Sequence, residues 1–337
     1  MTFSRKSFLT TSLMGLSSLI FGKKNKEFIV QSSTIKPKKL PKNATIGLIA
    51  PASPIYGASI FNTMIDSLNT LGYNIVLGNH VNDRNGYLAG KDEDRVSDLH
   101  DMFANDIIDG IICVRGGYGS NRILDLINFD IIKENPKPFI GFSDITSLHL
   151  AIYEKTGLIT FHGPVGKSDW NPYTLDSWNS ILHHAKNPTY YIPEGDENQF
   201  TIGSGSSKGK LLGGNLTVLT SLLGSNYLPP FEGAILFLED IGEDVYRVDR
   251  MLSQLALNGI LSKLNGFVFG KCTDCEMSTY SLSLNEVLDH YIKPLDIPAF
   301  YGAMISHEEQ NLTIPVGIQA SIDADNRTIS ILESSVQ

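Results

Sequence analysis

The stretch Arg115-Gly116-Gly117-Tyr118-Gly119-Ser120-Asn121-Arg122 holds the residues best suited to chemistry. An apolar run, Gly110-Ile111-Ile112-Cys113-Val114, precedes it, and a helix-period stretch from Ser120 to Ile127 follows. The spacing predicts a sharp strand-to-helix turn. A serine at such a turn exposes its hydroxyl at a helix N-terminus, where backbone N–H groups can stabilise an oxyanion. The glycines allow the tight turn and the close approach of a substrate. A glycine-rich turn in which Ser120 merely caps the helix fits the same residues. The phosphate-binding patterns G-x-G-x-x-G and G-x-x-x-x-G-K-[ST] are both absent here.

A nucleophilic serine needs a base, and usually an acid that orients the base. Of the eight histidines, His183 and His184 lie in a polar stretch and His149 in the middle of a helical pattern. His307 lies in a loop, Ser306-His307-Glu308-Glu309-Gln310-Asn311, ahead of an apolar strand, which suits a catalytic imidazole as well as a plain surface residue. Glu239-Asp240 closes the apolar run Ala234–Leu238. Two carboxylates where a strand emerges can orient a histidine, bind a metal or cap the next helix, but no H-E-x-x-H or comparable ligand set accompanies them. Cys272-Thr273-Asp274-Cys275 has no second pair to complete a zinc site, so it reads as incidental thiols or a tight local disulfide.

The elements that must position these groups alternate. Strands are expected at Thr45–Ala50, Asn74–Leu77, Gly110–Arg115, Pro138–Gly141 and Leu158–Phe161, with helices at Asp92–Phe103, Ser120–Ile127 and Asp144–Glu154 between them. A further helix-period stretch carries Ile60, Met64, Ile65, Leu68 and Leu71 on one face. Such alternation implies crossover units on a parallel sheet. The pattern breaks at Gly166, and the polar, proline-containing stretch 166–207 is expected to link two domains, 44–165 and 208–332. The second is expected to be mixed α/β with several short strands.

Charge separates the N-terminal end from the rest. The 337 residues carry a net charge of −9, but residues 1–43 hold nine Lys+Arg against one acid, which leaves −17 on the remainder. So acidic a body is a poor general binder of nucleic acid. The hydrophobic content of 42% is ordinary for a globular chain and excludes a disordered one. Arg5 and Lys6, then an apolar run from Phe8 to Phe21, then Lys23, Lys24 and Lys26 read as an export signal over 1–22 with a linker over 23–43. The apolar run is shorter than the about 20 residues a spanning helix needs. Ser4-Arg5-Lys6-Ser7-Phe8-Leu9 is similar to a twin-arginine export motif with Lys as the second base. The expectation is a periplasmic protein, with an uncleaved membrane anchor as the alternative.

Together these residues resemble the LD-carboxypeptidases, the muramoyltetrapeptide carboxypeptidase family of serine peptidases. The resemblance rests on Ile49-Ala50-Pro51-Ala52-Ser53, on Leu88-Ala89-Gly90-Lys91-Asp92-Glu93-Asp94-Arg95, on Arg115–Ser120 and on Gly141-Phe142-Ser143-Asp144-Ile145-Thr146. It continues through His162-Gly163-Pro164, Gly213-Gly214-Asn215-Leu216, Leu238-Glu239-Asp240, Tyr246–Leu252, His307 with Asn311, and Pro315-Val316-Gly317. It implies a Rossmann-like N-terminal domain, a mixed C-terminal domain and an active site at their interface. It implies a Ser–His–Glu triad of Ser120, His307 and Glu239, with an oxyanion hole from the Gly90 and Asn121 amides. Gly117, Tyr118, Ser143, His162 and Asn215 are the implied substrate-binding residues. The implied reaction releases the terminal D-amino acid from a muropeptide stem without metal or organic cofactor, in a family that is commonly dimeric. A related branch cleaves peptidyl-adenylates in microcin immunity. A different class, an exported peptide-binding protein without catalysis, fits a two-domain α/β chain as well.

Overall fold

The computed structural model describes residues 34–192, 199–277 and 279–337. The expected export signal, and the linker up to residue 33, lie outside them. Strands β1 (Thr45–Ile49), β2 (Asn74–Leu77), β3 (Gly110–Cys113), β4 (Phe139–Gly141) and β5 (Thr160–His162) form a parallel sheet. The helices α1 (Ala58–Thr70), α2 (Asp92–Ala104), α3 (Phe129–Glu134) and α4 (Thr146–Thr156) cross between them. The central strands β3 and β4 are apolar and wholly buried because helices cover a crossover sheet. The strand order, with β12 (Ile314–Val316) at one edge, is β12-β5-β4-β3-β1-β2. The order reverses between β1 and β3, so a crevice opens beyond their C-terminal ends.

The second sheet has eight strands: β6 (Thr189–Tyr191), β7 (Phe200–Gly203), β8 (Ser206–Asn215), β9 (Ile235–Ile241), β10 (Gly266–Thr273), β11 (Ala299–Tyr301), β13 (Gln319–Asp323) and β14 (Thr328–Ile331), ordered β6-β14-β13-β8-β9-β10-β11-β7. Four of them, β8 to β11, run parallel. Helices α6 (Leu216–Ser221), α7 (Val245–Leu257) and α8 (Leu284–Ile292) accompany that half. Ser283 opens α8 with a capping box to Glu286.

Three expectations need correction. The stretch 166–207 is no bare linker: it carries α5 (Pro172–Trp178), a π turn at Asn179–His183, β6, β7 and the start of β8. Trp178, Ile181 and Leu182 are fully buried, so this stretch supplies core despite its polar composition. The C-terminal half is not self-contained either. Its β12 returns to pair antiparallel with β5, Ile314 opposite His162. Pro315 lacks an N–H and is tolerated there because β12 is an edge strand. Residues 34–43 also belong to the fold. Ile35 bridges to Leu158, the Lys39 amide donates to the Gln337 carbonyl at 2.9 Å, and Leu40 is buried. Among the described residues, no helix is long and apolar enough to cross a membrane.

Candidate active site

Ser120 sits in the β1/β3 crevice, where the chain leaves β3 and turns. It opens a 3-10 helix, Ser120–Leu126, rather than the α-helix that the spacing predicts. The turn is braced from both sides. The Tyr118 amide donates to Ser53 Oγ at 3.1 Å, and the Arg95 guanidinium donates to the Gly119 carbonyl at 3.0 Å and to the Pro51 carbonyl. Gly117 and Gly119 take φ +116° and +126°, and a Cβ at either would fall 2.5 Å from a neighbouring side chain, Ser53 or Leu88. Only glycine meets both demands.

Ser120 is fully buried, and its own amide donates to Asp144 Oδ2 at 2.7 Å. Burial pushes the Asp144 carboxyl up, and the Ser120 amide partly offsets this. Asp144 lies in a second 3-10 turn, Ser143–Ile145, that follows β4. Ser143 enters that turn at φ +65°, a conformation that costs a side-chain-bearing residue about 1–3 kcal/mol.

Glu239 and Asp240 are consecutive on β9, so their side chains leave opposite faces of the strand. Glu239 Oε2 pairs with His307 Nδ1 at 2.8 Å, while Glu239 Oε1 is buried without a partner. Asp240 instead accepts from Asn215 Nδ2 at 2.9 Å and from the amide and hydroxyl of Thr217 at 3.0 and 2.8 Å. Burial raises its pKa, and the Glu239 charge adds to the rise. Of the roles open to this pair, one carboxylate orients a histidine and the other organises the entry to α6.

The His307 loop is held by the segment expected to be a linker. Asn171 Nδ2 donates to the Glu309 carbonyl at 2.7 Å, and Thr174 Oγ1 accepts from the Asn311 amide at 3.1 Å. Sequence reading missed both residues. The signal was Asn171-Pro172, an N-cap followed by proline at the first helical position. On the open side, Thr273 Oγ1 donates to Glu308 Oε1 at 2.9 Å, next to the Cys272–Cys275 disulfide.

The two halves of the site meet at Phe142. Its ring packs edge-on against His307, centroids 4.8 Å apart, while Asp144, two residues later, holds the Ser120 amide. Ser120 and His307 therefore flank one short segment, although Ser120 Oγ does not reach His307 in this geometry. Apo sites often leave this bond open until substrate binds.

The other expected residues divide. Among the described residues the Gly90 and Asn121 amides donate to no acceptor, and Gly90 takes φ +100°. Asn121 Nδ2 reaches Ser221 Oγ at 2.6 Å, linking the nucleophile turn to α6. Gly117 and Tyr118 are exposed beside Ser120, with Tyr118 edge-on to Tyr87. His162 does not line the surface: it is fully buried between Phe142 and Phe237, with both ring nitrogens unpartnered. Burial, reinforced by His149 and His307, holds its pKa well below 6.5. Asn215 is likewise spent on structure, because its Oδ1 caps α6 through the Val218 amide at 3.0 Å and its Nδ2 holds Asp240. Arg122, exposed near the turn, is committed to Asp92 at 2.8 Å.

Comparison with known proteins agrees with the two-part α/β fold. Residues 46–163 match the LD-carboxypeptidase N-terminal domain and residues 208–322 match the C-terminal domain. A Bacillus subtilis (strain 168) protein named as a probable murein peptide carboxypeptidase is 38% identical over 315 residues, covering 91% of this chain and 97% of its own. The solved structure of the microcin C7 self-immunity protein in its apo state superposes with a TM-score of 0.84 at 30% identity, over 90% of this chain and all of the other. A muramoyltetrapeptide carboxypeptidase from Oxalobacter formigenes superposes with a TM-score of 0.73 at 29% identity, over 85% of this chain and 97% of the other.

Proposed function

The chain belongs to the LD-carboxypeptidase family of serine carboxypeptidases, and from that premise we propose that it releases the terminal D-alanine from murein tetrapeptide stems. The observation that carries the reading is the 2.8 Å pairing of His307 Nδ1 with the buried Glu239 carboxylate, across Phe142 from the Ser120 turn. Glu239 keeps the His307 proton on Nδ1, which leaves Nε2 free to accept. Ser120 Oγ attacks the scissile carbonyl as His307 takes its proton. His307 then passes that proton to the departing amine, and water repeats the sequence on the acyl-enzyme.

The developing oxyanion falls to the Gly90 and Asn121 amides, which have no acceptor among the described residues. The Ser120 amide has no such freedom, since Asp144 holds it. One preorganised donor contributes about 3–4 kcal/mol in the transition state. The same reading has the enzyme exported, on the strength of the basic and apolar pattern of residues 5–26.

The higher superposition on the microcin immunity protein favours one second reading, hydrolysis of a peptidyl-adenylate. Purified protein incubated with tri-, tetra- and pentapeptide stems and with an aminoacyl-sulfamoyl adenosine, read by mass, separates the two. The proposal expects D-alanine from the tetrapeptide alone, and none from Ser120→Ala. Turnover of the sulfamoyl nucleoside with intact tetrapeptide would contradict it.

A further inference from the structure

Several cations surround the nucleophile turn, and most are already committed. Arg95 and Arg122 both pair with Asp92. Arg115 is different. It has one long bond, Nη1 to the Pro54 carbonyl at 3.4 Å, and its buried Nε has no partner. Lys167 is its neighbour: the Lys167 amide donates to the Val114 carbonyl at 3.2 Å, and the Gly166 amide donates to the Cys113 carbonyl at 2.9 Å. These bonds hold the turn that carries Lys167 against the chain leaving β3, one residue before Arg115. Neither forms an ion pair with a described carboxylate. Partial burial lowers the Lys167 pKa, and the Arg115 charge lowers it further, as expected of two cations left facing each other.

Their position matters as much as their charge. Arg115 Nη2 lies 3.6 Å from where a Cβ on Gly117 would stand, and Gly117 is exposed three residues ahead of Ser120. In a body with net charge −17, two neighbouring cations without a counter-ion among the described residues, one of them beside the exposed Gly117, have a use for an anion from outside. A planar guanidinium beside an ammonium suits a carboxylate.

We infer that Arg115 and Lys167 form a clamp beside Ser120 that holds a carboxylate of the peptide substrate. The inference rests on the carboxypeptidase reading and deepens it, since the clamp supplies a reason for cutting at a chain end. A stem offers two sources of the carboxylate, the terminus of the departing D-amino acid and an acidic group inside the stem.

The test compares three tetrapeptide stems: the free acid, the terminal carboxamide and a stem with its internal carboxylates amidated. Wild-type kcat/KM should fall at least about tenfold on whichever stem has lost the clamped carboxylate, which identifies the source. Lys167→Met and Arg115→Lys should lose about tenfold on the free acid, mainly through KM, and should no longer discriminate among the stems. Variants that keep the wild-type discrimination, or a wild type indifferent to both amidations, would overturn the clamp. Fluorophosphonate labelling of Ser120 at the wild-type rate shows that the variants keep their catalytic machinery. Should the wild type label but cleave no stem, the proposed function fails while the clamp stays testable. Ser120→Ala must then bind the free-acid stem at least about tenfold more tightly than the amidated one, and equal affinities refute the inference.

Discussion

Replacing Glu239 with glutamine should separate activity from stability. The Glu239 carboxylate is fully buried and accepts the His307 Nδ1 proton through Oε2 at 2.8 Å. Glutamine has nearly the same shape, but its amide group can donate to Nδ1, which would move the imidazole proton to Nε2. The nitrogen that must accept the Ser120 proton is then occupied. The corresponding amide exchange in an unrelated serine protease costs about four powers of ten in kcat. A loss of about 10³- to 10⁴-fold is therefore expected here, equivalent to about 4–5.5 kcal/mol of barrier. Stability should move little or in the opposite direction. Glu239 Oε1 has no partner among the described residues, and the Glu239 charge raises the Asp240 pKa through the strand, so the exchange removes a buried like-charge repulsion. The assay is D-alanine release from a tetrapeptide stem alongside a thermal melt. A folded Glu239→Gln protein retaining kcat within tenfold of wild type would refute the tautomer argument.

Three further outcomes follow from the same geometry. Asp144→Ala leaves the buried Ser120 amide without its acceptor, and fluorophosphonate labelling of Ser120 should slow about 10- to 100-fold. Gly213→Ala should lose at least about 3 kcal/mol in urea unfolding, because at φ +152° its Cβ would stand 1.7 Å from the Phe237 carbonyl oxygen of the adjoining strand. Acidification should weaken the fold: His149 is held near pKa 4 and His162 well below 6.5 by burial, so the unfolded chain takes up their protons first. Stability is then lost as pH falls below about 6.5, about 3 kcal/mol through His149 alone by pH 4. The raised Asp144 carboxyl works in the other direction, since the folded protein takes up its proton first. Urea unfolding at pH 7.5 and 4.5 should show a smaller loss in His162→Phe than in wild type.

Much of this architecture is legible along the chain because its signals are local. The helices α7 and α8 begin and end where their apolar periodicity does. The parallel sheet is announced by short apolar runs separated by helical stretches. The C-terminal ends of β3 and β9 carry the nucleophile turn and the Glu239-Asp240 pair that the sequence singles out. What was not legible depends on distant partners. The polarity of 166–207 hides α5, because Asn171 and Thr174 spend their side chains on the His307 loop rather than on solvent. Asp144 holds the Ser120 amide across 24 residues of sequence, and no spacing rule connects them. His162 lies in one of the segments on which the family resemblance rests, yet only the packing of Phe142 and Phe237 reveals that it is buried. The return of β12 to the first sheet follows from strand pairing, which composition does not encode.

The central claim is that Ser120 carries the acyl group. Wild-type enzyme mixed with a tetrapeptide stem, quenched in acid within the first turnovers and digested, should show the mass of the tripeptide acyl group on the peptide containing Ser120, together with free D-alanine. D-alanine release with no adduct on that peptide, or undiminished release by Ser120→Ala, would contradict the account.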